Sequence, residues 1–190
     1  IFKFKMSKLT NQNIEIFFSK AEKLRIENNF LGAIEFYKKV LNHDYNFKAA
    51  LSNIAHCYFQ LNKFDFAEKY YLHLIKIEPL NEQILNNLSL LYFKTKKIDK
   101  ALSVLQKSLD ININQENVVE KIGYCMFELK LYSDLNLFCE KFLKKYPENK
   151  FLLSYYEKSL FKLGKNVEAL KISQKQTGFI QFEDDKVKLI

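Results

Sequence analysis

Chemistry in this sequence would have to come from three histidines, three cysteines and a few paired acids, and their spacing does not assemble a reaction centre. His43, His56 and His73 never fall at i,i+4, the spacing that turns two imidazoles toward one metal ion on a helix. Cys57, Cys125 and Cys139 are odd in number and lack CxxC or Cys/His ligand spacing. They sit on the apolar side of helical patterns, which predicts buried, reduced thiols and a reducing, cytoplasmic setting. Asp184-Asp185 lies in a polar tail and reads as a solvated pair. No Gly-rich phosphate loop, GxSxG or HxD motif is present. The expectation is no catalytic residue, no metal and no cofactor.

Recognition, then, has to come from surface, and composition limits what kind. Four Gly and two Pro leave little punctuation for strands and turns, so an all-helical chain is expected. The net charge of +8 would suit an acidic partner, but Arg25 is the only arginine. Bidentate reading of guanine or phosphate favours arginine over lysine, so nucleic acid is disfavoured as a partner. No run of about 18 apolar residues occurs, and no membrane-spanning helix is expected. Lys3, Lys5 and Lys8 interrupt residues 1–10 too often for a signal-peptide core. Either Met6 opens the chain or the sequence begins within a longer one.

The elements that would carry such a surface follow one period. Lys48 to Asn81 places Leu51, Ile54, Ala55, Tyr58 and Phe59 at helical spacing, breaks at Asn62-Lys63, resumes with Phe64, Ala67, Tyr71 and Leu74, and closes on Glu78-Pro79. Ala33, Ala67 and Ala101 are evenly spaced, and two further steps of the same length reach Leu135 and Ala169. A fixed period of this length marks a helical repeat array. Residues 14–176 divide into units 14–47, 48–81, 82–115, 116–149 and 150–176, after a leader at 1–13 and before a tail at 177–190. The tail alternates like a short strand around Ile180 to Phe182; it reads as a lid or as the opening of a further domain.

In each hairpin, small residues let the helices approach. Ala55 facing Ala67 supplies the crossing in the second unit; in the fourth, Gly123 is expected to make room for Leu135. In the fifth, Glu157 occupies the small-residue position.

With Leu51, Ile54, Ala55, Tyr58, Phe64, Ala67, Tyr71 and Pro79 in these places, the array resembles the tetratricopeptide repeat family, from about Ile14 to Lys175. The resemblance implies an all-α solenoid of about five helix-turn-helix repeats, a right-handed superhelix whose first helices line a concave groove. Carried onto this sequence, the groove positions give Asn53, His56 and Phe59, then Asn87, Phe93 and Lys94, then Lys121, Tyr124 and Phe127. Phe59, Phe93, Phe127 and Phe161 form a ladder at the repeat period, broken at its N-terminal end by Arg25. Rings supply apolar area and amides can bond a peptide main chain. The rings can equally pack between repeats, whereas Asn53 and Asn87 are expected to stay available. The carboxylate clamp of chaperone-binding relatives is not expected: with Asn53 as its middle Asn, the other positions fall on Phe18, Glu22, Gln83 and Asn87, with none of the cations present, and one repeat on Asn87 and Lys121 fit but Ser52, His56 and Asn117 do not.

The resulting expectation is a non-enzymatic module or scaffold that binds a peptide or partner protein in its groove, with its oligomeric state open. The alternative is a substrate-recruiting arm of a larger enzyme, of the glycosyltransferase, sulfotransferase or 2-oxoglutarate/iron oxygenase type.

Overall fold

A computed structural model describes the backbone of residues 2–177, 180–183 and 186–189, and the side-chain surroundings of residues 11–174. The expectation placed on Asp184-Asp185 lies outside the described residues. The helices are α1 (Phe2–Ile26), α2 (Phe30–His43), α3 (Lys48–Gln60), α4 (Phe64–Ile77) and α5 (Glu82–Lys94), then α6 (Ile98–Ile111), α7 (Glu116–Glu128), α8 (Tyr132–Leu143), α9 (Lys150–Lys162) and α10 (Asn166–Thr177). First helices from α3 onward open at Lys48, Glu82, Glu116 and Lys150, and second helices at Phe30, Phe64, Ile98, Tyr132 and Asn166, both at the same constant step.

The period is written most plainly in the turns. Asn28, Asn62, Lys96, Lys130 and Gly164, each one repeat from the next, have φ of 60°, 57°, 57°, 60° and 76°. Each first helix thus ends on one left-handed residue, the geometry that lets the chain reverse at once into the second helix. In the second hairpin the Lys63 N–H donates to the Tyr58 carbonyl at 2.9 Å and the Asn62 N–H to the Phe59 carbonyl at 3.0 Å. Helix starts are capped by amides where the sequence supplies them: Asn29, Asn81 and Asn149 accept from the N–H of Gly32, Ile84 and Leu152. Asn149 is buried, and its own amide donates to Glu116 and Glu120 of α7, both at 2.7 Å, tying the fifth hairpin to the fourth.

Two compact units result, Ile1–Lys96 and Lys97–Ile190. In the first, α1 packs on α2, α2 on α3, α3 on α4 and α4 on α5; Leu51, Ile54, Leu74, Leu85 and Leu88 are fully buried there. In the second, α6 packs on α7, α8 on α7 and α9, and α9 on α10, around Leu105, Ile122, Leu135, Leu152 and Leu160. Each such side chain contributes roughly 1.5–3 kcal/mol by leaving water. The periodic small residue behaves as its role requires: Ala33, Ala67, Ala101 and Ala169 have no exposed surface, nor does Leu135 in their place. Glu157 is half-buried, while Ala169 of the same hairpin is fully buried.

Two expectations need correction. Residues 2–13, read as a leader, are helical and continuous with α1, because no Gly or Pro interrupts them and a nucleated helix propagates one bond per residue. Space left by Gly123 is not filled by Leu135. A Cβ there would meet Tyr155 Cδ2 at 3.1 Å and Leu152 Cδ2 at 3.8 Å, so the glycine admits a ring from the next repeat's first helix. The all-α expectation holds for the array, and the short strand expected around Ile180 to Phe182 is present as β1 (Ile180–Glu183), which pairs antiparallel with β2 (Lys186–Leu189), Ile180 opposite Leu189 and Glu183 opposite Lys186. Period-two alternation of Ile180 with Phe182 and of Val187 with Leu189 suits that pleat.

Candidate partner-binding surface

First helices present to solvent the residues at which a groove was expected, and each unit builds its own face. In the first unit the face begins with a polar cluster centred on Glu22 of α1. Arg25, one turn on, grips its carboxylate with two N–H groups, Nε at 3.2 Å and Nη2 at 2.8 Å. The Tyr37 hydroxyl reaches the same carboxylate from α2, and Asn53 Nδ2 reaches it from α3 at 2.6 Å. Hydrogen bonding from Arg25, opposed by burial and helped by Tyr37 and Asn53, holds the Glu22 carboxyl below its ordinary range. Burial, with the Glu22 hydrogen bond, raises Tyr37. The cluster therefore joins α1, α2 and α3 as a fixed ionic network.

This alters the expectation for Asn53. One amide N–H, expected to be available to a partner, is committed to Glu22 because the preceding repeat offers a carboxylate within reach. His56, the next candidate on α3, is half-buried. Burial first, and then the Arg25 charge, lower its pKa, so the imidazole is neutral near pH 7 and offers both a donor and an acceptor. Gln60 Nε2 stands 3.4 Å from His56 Nε2. Phe59 is half-buried and packs edge-on against Phe64 at 5.7 Å across its own hairpin, so structural packing accounts for much of this ring.

On α5, Asn87 and Phe93 are half-buried and Lys94 is exposed. Between them Leu90 keeps 44% of its surface in water. Asn87, Leu90 and Lys94 fall at i, i+3 and i+7, so they share one stripe.

The second unit's face is aromatic. Tyr124 of α7 is 38% exposed, Lys121 is half-buried one turn before it, and Phe127 follows one turn on. Phe127 packs against Tyr132 at 5.8 Å and Tyr155 at 6.0 Å, and Lys158 of α9 lies 5.8 Å above the Phe127 ring and 5.7 Å from Tyr155. Tyr155 and Lys158 were missed because Tyr155 reaches α7 only through the gap at Gly123, a contact between repeats that no single repeat displays. Phe161 continues the ladder and is 42% exposed; Asn166 stands where the second and fourth hairpins place Phe64 and Tyr132 against the ladder ring.

Among the described residues no cluster of three His, Cys, Asp or Glu could hold a metal ion. Cys57, Cys125 and Cys139 are buried free thiols, as expected; burial pushes them up to about 11, 12 and 12. They are protonated and poorly nucleophilic near neutral pH. No helix among the described residues is long and apolar enough to cross a membrane.

Residues 49–79 and 82–113 match the family model for the tetratricopeptide repeat. These two stretches are tetratricopeptide repeats. The crystal structure of MamA protein superposes with a TM-score of 0.73 at 20% identity, over 87% of this chain and 90% of that one. The first tetratricopeptide domain of Spaghetti (RPAP3), solved bound to the HSP90 peptide SRMEEVD, aligns with a TM-score of 0.56 at 19% identity, over 63% of this chain and 94% of that one. In sequence, the BBSome complex member BBS4 homolog of Drosophila melanogaster is 26% identical over 106 residues; the stretch spans 56% of this chain and 22% of that protein. The two solved structures share the helical-repeat fold of the array.

Proposed function

We propose that the tetratricopeptide array binds a peptide or partner protein along its first-helix faces, without catalysis of its own. The observation that carries this reading is apolar and amide surface that folding leaves uncovered. Leu90, Tyr124 and Phe161 are 44%, 38% and 42% exposed on helices whose opposite sides are fully buried. An exposed ring or leucine beside an amide or a lysine suits a helical or extended segment, with the apolar group seating its side chains and the polar group fixing register.

In the first unit the recognition set is Asn87, Leu90, Phe93 and Lys94, with His56 and the remaining groups of Asn53 beside them; in the second it is Lys121, Tyr124, Phe127 and Lys158. Phe59 contributes mainly through its packing on Phe64. Reduced, buried thiols accord with a reducing compartment such as the cytoplasm. A pull-down from native lysate, repeated with Asn87→Ala and Lys121→Glu, tests the assignment. Loss of a defined set of captured proteins is expected, and retention of every one would remove these residues from the binding surface.

A further inference from the structure

On the second-helix side of the first unit lies a cleft of about 880 Å³ between α2 and α4, with a different chemistry from the first-helix face. Its floor is apolar, from Leu41, Leu51 and Ile77. Its rim carries Lys38, Lys69 and Lys76 and no Asp or Glu. Tyr45, 70% exposed, stands at one wall with its ring 4.4 Å from that of His73, which is itself tied to Asn46 at 3.1 Å; Tyr70 also lines the cleft.

The repeat supplies an internal comparison. A cleft at the corresponding place in the second unit, two periods on, measures about 300 Å³. There Lys38, Asn42 and Tyr45 are replaced by Gln106, Asp110 and Ile113, and Tyr70 by Phe138. A crevice between successive second helices thus recurs in the fold, whereas the greater width, the three lysines and the tyrosine wall distinguish the first unit's cleft from this one, which Lys141 alone among lysines lines. Lys69 and Lys76 make no ion pair among the described residues, so their charge is uncompensated toward a ligand.

We propose that the α2–α4 cleft is a second docking site, for an acidic peptide segment that seats an aromatic or leucine side chain between Tyr45 and Tyr70 and lays its carboxylates against Lys38, Lys69 and Lys76. The volume suits one large side chain with its flanking backbone. Complementary charge supplies steering and register. The site goes beyond the first-helix reading and stands or falls separately from it.

A displayed library of random peptides, selected on the full chain and then counter-selected on the Lys69→Glu/Lys76→Glu variant, tests the proposal. Peptides lost on counter-selection should carry an aromatic residue or leucine flanked by at least two acids. Their binding should weaken at least about tenfold in that variant and severalfold in Tyr45→Ala, and fall as salt rises. All three substituted side chains are solvent-facing or half-buried at the rim, and circular dichroism checks that the helices remain. Lys94→Glu/Lys121→Glu should leave binding unchanged, which separates this site from the first-helix faces. The proposal is overturned if the variant discriminates against no peptide, if discriminated peptides show no acidic enrichment, or if a single-stranded oligonucleotide of equal charge displaces them and binds more tightly.

Discussion

Exchanging the turn residues of two hairpins should move stability in opposite directions. Lys130 and Gly164 occupy one repeat position at φ 60° and 76°. Lysine in the left-handed region costs about 1–2 kcal/mol relative to the right-handed one. Glycine escapes that cost but loses roughly 0.5–1 kcal/mol more conformational entropy on folding. Lys130→Gly should therefore stabilise the chain by about 0.5–1 kcal/mol. The Lys130 side chain is exposed, so no packing is lost with it. Gly164→Ala should destabilise by a similar amount, and backbone strain alone would be responsible, because no atom lies within 4 Å of the added Cβ. For a chain of 190 residues, 1 kcal/mol is about 2–4 °C in Tm. The two sites lie in different hairpins and should act additively, so the double variant should melt close to the parent. Urea titration followed by circular dichroism reads all three, with the midpoint shifting at constant slope. A lower midpoint for Lys130→Gly, or a higher one for Gly164→Ala, would refute the periodic left-handed turn.

Other perturbations test other parts of the structure. Ala67→Leu adds volume at a crossing with no exposed surface and should cost about 1–3 kcal/mol, measured by the same titration. Glu22→Ala would leave the Arg25 guanidinium, the Tyr37 hydroxyl and the Asn53 amide without their shared acceptor, for a loss of roughly 1–3 kcal/mol. Because the Glu22 pKa is depressed in the folded state, its contribution is present above the unfolded value near 4.5 and is lost as pH falls through the lower folded value. Melting temperatures should accordingly drop below about pH 4.5, and Glu22→Gln should flatten that part of the profile. A thiol reagent at neutral pH should leave Cys57, Cys125 and Cys139 unmodified until denaturant is added, when all three react.

Much of the array was legible because its signals repeat. Ala33, Ala67 and Ala101 fixed the period, and helices α3, α5, α7 and α9 begin at the first residue of each unit read from the sequence. Where the reading failed, the deciding interaction crossed from one repeat to the next. Asn53 looked available until Glu22, in the preceding repeat, was found to hold its amide. Gly123 looked like compensation for Leu135 within its hairpin, yet Tyr155 of the following hairpin lies over it. The N-terminal extension of α1 went unread because Asn11-Gln12-Asn13 looks like a helix cap, although Phe2, Met6 and Leu9 fall at helical spacing before it. The α2–α4 cleft joins second helices of successive repeats, and its lysines read one by one as ordinary solvated charge.

The most direct measurement of the central claim, that partners dock on first-helix faces, is photo-crosslinking with a benzophenone amino acid at Tyr124 and, separately, at Leu137. Both side chains are exposed, at 38% and 65%, the first on α7 and the second on α8. In native lysate Tyr124 should give discrete protein adducts that Lys121→Glu diminishes, while Leu137 gives none of the same adducts. Adducts confined to Leu137, or a lysate in which Tyr124 captures nothing, would contradict it.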